Sequence, residues 1–209
     1  MILASQNSNY SINFLNGGMA VSTPFSGITL GTTTVGTLFV EFKVQDYANK
    51  TIFCIDQASG FHRGWSIEIF NRKISGNWYH GTDQRFSITT PIKLNKIYRV
   101  AFVREPFGYK VYSNNIGNFV QGSIPDDTST TVIDRFVFGG RRPSAPESKG
   151  ECQIFKAAYY NSSSKSLTSK LLSGNFKDAT YWWTGAQPNG NLPMTSVTQK
   201  RLQYNNITI

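Results

Sequence analysis

Residues 64–70 read Gly64-Trp65-Ser66-Ile67-Glu68-Ile69-Phe70. Large apolar side chains at Trp65, Ile67 and Ile69 alternate with Ser66, Glu68 and Phe70, a period of two that a strand with one core-facing side produces and a helix does not. The pattern repeats outward in both directions. Towards the N-terminus, Leu38, Val40, Phe42 and Val44 alternate with Phe39, Glu41 and Lys43, and Thr51–Ile55 is a short apolar run. Towards the C-terminus come Ile74–Tyr79, Arg85–Ile88, Ile97–Val103, Tyr109–Tyr112, Phe119–Gln121, Arg135–Phe138 and Glu151–Tyr160, each bounded by turn residues. With Tyr10–Leu15 and Met19–Val21 this gives roughly ten or more expected strands, the pattern of an all-β sandwich or barrel. Asn16-Gly17-Gly18 between the first two runs predicts a β-hairpin there. Helical spacing is confined to Ser164–Leu172, where Leu167, Leu171 and Leu172 follow a serine-rich start able to cap one short helix.

Composition agrees with that class. The chain has 209 residues, of which 39% are hydrophobic, with 15 Phe, 10 Tyr and 4 Trp. That is enough to build a core and excludes disorder as the main state. Only 16% are charged, so the polar surface comes from Ser, Thr, Asn, Gln and Gly, which favour strands and turns. No stretch reaches the ~18 apolar residues of a membrane span, so no membrane insertion is expected. Met1-Ile2-Leu3-Ala4-Ser5-Gln6 has neither the basic nor the apolar region of a secretory signal. The formal net charge of +9 leaves two explanations open, general solubility or an anionic partner. The cations are spread from Lys43 to Arg201 with no run longer than Arg72-Lys73 or Arg141-Arg142, and nucleic acid is not expected, because its footprints cluster. The two cysteines, Cys54 and Cys152, make neither a disulfide scaffold nor a zinc site; both sit in apolar runs, and whether they bridge is left open.

The order of motifs over residues 9–176 resembles the laminin-G-like, concanavalin A-like lectin/glucanase superfamily. Ile12-Asn13-Phe14, Asn16-Gly17-Gly18 and Met19-Ala20-Val21 are similar to its opening strand, turn and strand, and Thr37–Val44 to its aromatic strand. Gly64–Ile69, Leu94–Val103, Gly108–Asn115, Phe138-Gly139-Gly140-Arg141 and Gly150–Asn161 follow in the family's order. The resemblance implies a two-sheet antiparallel jelly-roll β-sandwich over residues 1–176 with one short helix. Residues 177–209 fall outside it and are expected as a C-terminal extension, packed on the sandwich or on a neighbouring subunit.

The superfamily includes glycoside hydrolases, whose chemistry needs two carboxylates about 5–9.5 Å apart. No single strand supplies such a pair; Glu41 and Glu68, one from each of two strands, are the remaining combination, and no enzyme activity is expected. Only His62 and His80 are available for a nucleophilic triad, and neither sits in a recognisable motif. The resemblance also implies calcium at a sheet rim, for which Asp56, Asp126, Asp127 and Asp134 are the carboxylates; they form no spaced ligand loop, so no metal or other cofactor is expected.

Binding carbohydrate asks less of a sequence: an exposed aromatic face and a few fixed hydrogen-bonding groups. Gly76-Asn77-Trp78-Tyr79-His80-Gly81 places Asn77 and Tyr79 on one strand face and Trp78 and His80 on the other, with Phe61, Arg63 and Arg85 in adjoining turns. Tyr79, Asn77, His80, Phe61, Arg63 and Arg85 are the candidate ligand-binding residues, although Trp78 and Tyr79 can equally be ordinary sandwich aromatics. Tyr181, Trp182 and Trp183 either pin the tail to its own sandwich or form a contact with another subunit, in a homo- or hetero-oligomer. Two functions follow as expectations: a non-catalytic, lectin-like carbohydrate-binding module, or a virion or bacteriophage structural component using the sandwich as a scaffold. A virion or extracellular surface is the expected location of either.

Overall fold

The computed structural model describes residues 10–14, 20–22, 27–29, 34–56, 63–80, 83–106, 108–114, 120–123, 132–140, 151–163, 169, 179–184, 194–196 and 202–206. They form β1 (Tyr10–Phe14), β2 (Ala20–Ser22), β3 (Ile28–Thr29), β4 (Gly36–Val44), β5 (Lys50–Asp56), β6 (Arg63–Phe70), β7 (Lys73–His80), β8 (Asp83–Pro91), β9 (Ile97–Glu105), β10 (Gly108–Ser113), β11 (Val120–Ser123), β12 (Val132–Ile133), β13 (Arg135–Phe138), β14 (Cys152–Tyr160), β15 (Tyr181–Thr184), β16 (Met194–Ser196) and β17 (Leu202–Asn206). An eight-stranded sheet runs β11-β10-β9-β4-β14-β1-β17, with β15 also paired to β14, and a seven-stranded sheet runs β16-β2-β13-β5-β6-β7-β8. A small pair, β12-β3, completes the described strands, and the pairings are antiparallel throughout. The fold is the expected jelly-roll β-sandwich. The expected helix over Ser164–Leu172 lies outside the described residues except for Ser169, whose backbone is helical.

Alternation puts the core between the two sheets. Leu38, Val40, Phe42 and Val44 of β4 and Tyr98, Val100 and Phe102 of β9 meet Trp65, Ile67 and Ile69 of β6 and Ile74 and Trp78 of β7, all buried in one cluster. Trp65 and Trp78 stack with ring centroids 5.8 Å apart, a pairing worth about 0.5–1.5 kcal/mol beyond the area it buries. Gly76 lies on this inward face because a Cβ there would come within 2.6 Å of Val111 and 3.3 Å of Phe102. Two continuous apolar runs that violate the alternation are explained by bulges. In β5 the register shifts between Thr51 and Phe53, and in β14 between Ile154 and Lys156. One extra residue reverses the parity of all that follow, so Ile52 and Phe53 both reach the core, as do Ile154 and Ala157.

One expectation changes. Asn16-Gly17-Gly18 does not close a hairpin: β1 pairs with β14 and β17 in one sheet, while β2 pairs with β13 and β16 in the other. An Asn-Gly turn signal specifies a chain reversal, but the partner is decided by where each strand completes a longer ladder. Among residues 177–209, expected as an extension packed on the sandwich or on a neighbouring subunit, β15, β16 and β17 are hydrogen-bonded to strands of the two sheets. Neither cysteine is in a disulfide, and the two are buried apart: Cys152 is in the inner core, whereas Cys54 packs with Val137 in a separate cluster. Burial pushes the Cys152 thiol up to about 12.

Candidate functional site

Hydrogen-bond register brings most of the expected binding residues to one end of the seven-stranded sheet. Arg63 pairs with His80, Gly64 with Tyr79, Tyr79 with Asp83, and Asn77 with Arg85. These positions span three neighbouring strands, each about 5 Å from the next. On the other side β6 lies close against β5 because residue 64 is glycine; a Cβ there would lie 2.0 Å from the Ile55 carbonyl oxygen. Of Arg63, Tyr79, His80 and Arg85 the backbone placement is described, and Phe61 lies outside the described residues.

Trp78 points into the core with 1% exposure, leaving Asn77 on the opposite face, as the alternation requires. Asn77 itself departs from the expectation. Its exposure is 0%, so it does not present a solvent-facing amide to a ligand. Its cross-strand neighbour Ser66 is also buried, and in the next row Thr51, Glu68 and Ser75 are too. Ser75 and Ser87 share a hydrogen bond of 2.6 Å between their hydroxyls. Strand parity told which face Asn77 occupies but not that this face is out of solvent.

Beneath these strand ends lies a buried arginine that no sequence motif marks. Arg104 of β9 is 0% exposed, and its guanidinium lies 4.7 Å over the Trp78 ring. Its Nη1 donates to the carbonyls of Glu105 and Gly108, the latter at 3.0 Å. The signal was present: Tyr98, Val100, Phe102 and Arg104 share one parity, so an arginine stands where the core face calls for an apolar residue. Carbonyl bonds and the indole face satisfy a charge that would otherwise be very costly to bury. The cation is a strut under the site rather than an available ligand.

The glycosidase pair is excluded by geometry. Glu41 lies between core residues Val40 and Phe42 on β4, and Glu68 between core residues Ile67 and Ile69 on β6, so the two carboxylates point away from each other on the outer faces of opposite sheets. Packed sheets are themselves about 10 Å apart, and no single glycosidic bond fits between these two groups. Glu41 Oε2 instead accepts from Arg99 Nε at 2.5 Å. For calcium, Asp56 and Asp134 are joined through backbone, Asp134 N–H to Asp56 C=O at 3.0 Å, and Asp134 pairs with Arg135 at 3.6 Å. Asp126 and Asp127 lie outside the described residues, among which no group of three His, Cys, Asp or Glu side chains is found.

The tail aromatics lie against their own sandwich. Tyr181 packs on Phe136 and Tyr159, with centroids 5.6 and 6.4 Å away. Trp182 joins Phe39, Ala101, Ala158 and Tyr160 on the outer side of the eight-stranded sheet. Both are half-buried, and the backbone of Trp183 pairs with Ala157. Burial, with Tyr181 beside it, raises the Tyr159 phenol above its ordinary value.

The far end of the β6–β7 hairpin has a different character. The turn residues Asn71 and Arg72 have φ of 49° and 61°, and the Arg72 guanidinium lies 4.9 Å over the ring of Tyr47, which is 41% exposed. A left-handed non-glycine residue costs about 1–2 kcal/mol. Below it, Lys50 Nζ, whose side chain is 1% exposed, donates to Asp46 Oδ1 at 2.5 Å and to the Glu151 carbonyl at 2.9 Å. Partial burial alone would raise the Asp46 carboxyl, but the Glu151 N–H, Lys50 and the Ala48 N–H together hold it below the usual 3.8.

No protein-family model matches the chain, and no curated protein matches it in sequence. Solved structures do share its fold. The native heptameric SAP-like pentraxin from Limulus polyphemus superposes with a TM-score of 0.61 at 13% identity, over 97% of this chain and 94% of that one. The CBM40 of the Ruminococcus gnavus IT-sialidase, bound to α2,3-sialyllactose, gives 0.56 at 12% identity over 74% and 98%. Domains LG4-5 of the mouse laminin α1 chain give 0.53 at 14% identity over 75% and 44%. At these identities the likeness is one of fold. No helix among the described residues is long and apolar enough to cross a membrane.

Proposed function

We propose that this chain is a non-catalytic carbohydrate-binding module that holds a glycan at the Arg63/His80 end of the seven-stranded sheet. The observation that carries the proposal is the register that sets Tyr79 and Arg85, on the outer-face parity of Asn77, beside Arg63 and His80, on the parity of Trp65 and Trp78, at three adjacent strand ends. An aromatic ring suits the C–H face of a sugar, and two guanidinium groups with an imidazole suit its hydroxyls or a carboxylate. The buried Trp65–Trp78 stack, with the Arg104 guanidinium against it, holds the carrying strands rigid, which lowers the entropy lost on binding. Fold likeness to a sialidase CBM40 solved with a bound sialylated sugar supports the class of ligand. Separation of Glu41 from Glu68 supports binding without hydrolysis. A virion or bacteriophage scaffold role has less support, because Tyr181 and Trp182, two of the three aromatics offered as a contact with other subunits, lie against their own sheets.

The test is a glycan array probed with wild type and with Tyr79→Ala. Binding to a defined set of glycans, weakened at least tenfold in the variant without loss of thermal stability, is the expected result. No glycan bound by either protein, or sugar released from a polysaccharide panel, would overturn the proposal.

A further inference from the structure

The β6–β7 turn carries arginine where its backbone favours glycine. Both central residues of such a two-residue turn need positive φ, and Asn-Gly is the unstrained choice; here the pair is Asn71-Arg72 at 49° and 61°. The turn is also pinned. Asn71 N–H donates to Asn49 Oδ1 at 2.8 Å, and the Arg72 carbonyl accepts from Ile92 N–H at 2.8 Å. Backbone strain held in place by neighbouring loops points to a use for the side chain it presents.

That side chain is the centre of a cationic end. Lys73 adjoins it, Lys93 follows Ile92, Lys96 lies 6.0 Å from the Tyr98 ring, and Lys43 pairs with Ile97. Among the described residues, none of Lys43, Arg72, Lys73, Lys93 and Lys96 is in an ion pair. The acidic groups nearby do not neutralise them: Asp46 is engaged by the buried Lys50, leaving Glu151. A net charge of +9 over the whole chain adds a long-range field of the same sign.

We propose that this end is a second binding site, for the sulfate or carboxylate groups of an acidic polysaccharide. The choice of polysaccharide rests on the carbohydrate-binding proposal above; the preference for anions rests on the cations alone. Single-stranded nucleic acid stacks its bases on open aromatic faces, whereas the exposed ring here, Tyr47, carries the Arg72 guanidinium on its face. A membrane surface favours an apolar wedge, and Ile97, 44% exposed, is a single small one. The two sites sit at opposite ends of one hairpin, about 23 Å apart at ~3.3 Å per residue.

The test uses the full chain and heparin as the polyanion, by calorimetry across a salt series. Wild type should bind heparin, with affinity falling steeply as salt rises. Arg72→Gly removes the cation and the strain together, so the melting temperature should hold or rise while heparin affinity drops about fivefold. The double variant Lys93→Gln, Lys96→Gln should weaken binding about 25-fold and reduce the log–log salt slope by about two. The Arg72 and lysine variants should bind the neutral glycans of the array as wild type does, which keeps failure here separate from failure of the glycan-array proposal. Wild type that ignores heparin, variants that bind it as tightly as wild type, or tighter binding to single-stranded DNA or to phosphatidylserine vesicles would each overturn the proposal.

Discussion

Arg104 and Arg72 make nearly the same contact with opposite consequences. One guanidinium lies 4.7 Å over Trp78 and the other 4.9 Å over Tyr47. Arg104 is 0% exposed and bonds to two carbonyls, so its charge is spent inside the protein. Arg72 is exposed at a left-handed turn position, so its charge remains free to meet a ligand. Ring geometry alone does not distinguish a strut from a binding group; desolvation does, because an ion stripped of water is retained only where partners are fixed around it.

The largest expected effect breaks the buried member of this pair. Trp78→Ala removes the floor of Arg104 and half of the Trp65 stack, and should cost about 3–5 kcal/mol of stability in urea unfolding. A loss under about 1 kcal/mol would mean that the indole is not the core element described.

Next in size is the ion pair under the exposed end. Asp46→Asn leaves the buried Lys50 ammonium with one carbonyl, and should cost about 2 kcal/mol at neutral pH, less than for a wholly buried pair because the carboxylate is partly exposed. Since the folded Asp46 lies below its unfolded value of 3.8, its contribution is full above that value and is lost as pH falls through the folded one. The stability gap between wild type and variant should therefore close below about pH 4. Equal gaps at pH 7 and pH 3 would show that the carboxylate is not what holds Lys50.

The smallest stability effects belong to the residues assigned to ligand contact. Tyr79→Ala and Arg72→Gly should each cost less than about 0.5 kcal/mol of stability, while each weakens a different ligand. Loss of both ligands through either single variant would erase the distinction between the two ends.

Much of the sandwich was legible because alternation is a direct record of which side of a strand meets the core. Trp65, Ile67 and Ile69 and the β4 set all lie where their parity places them. Partnership was not legible at Asn16-Gly17, since a turn signal is local whereas the partners of β1 and β2 are set by strands more than a hundred residues away. Bulges at Ile52 and Phe155 were hidden inside uninterrupted apolar runs. At the site, Trp78 could be placed inward from sequence, but the burial of Asn77 depends on what crowds the outer face, which parity does not encode. Arg72 passed as one of two scattered basic pairs, because its significance lies in a backbone angle.

The most direct test of the central claim is an NMR titration of the 15N-labelled chain with the tightest neutral glycan from the array. Amide shifts should concentrate at residues 63–66 and 77–85, with residues 70–73 and 92–97 unmoved. Shifts confined to the second set, or spread without focus over both sheets, would contradict a glycan site at the Arg63/His80 end.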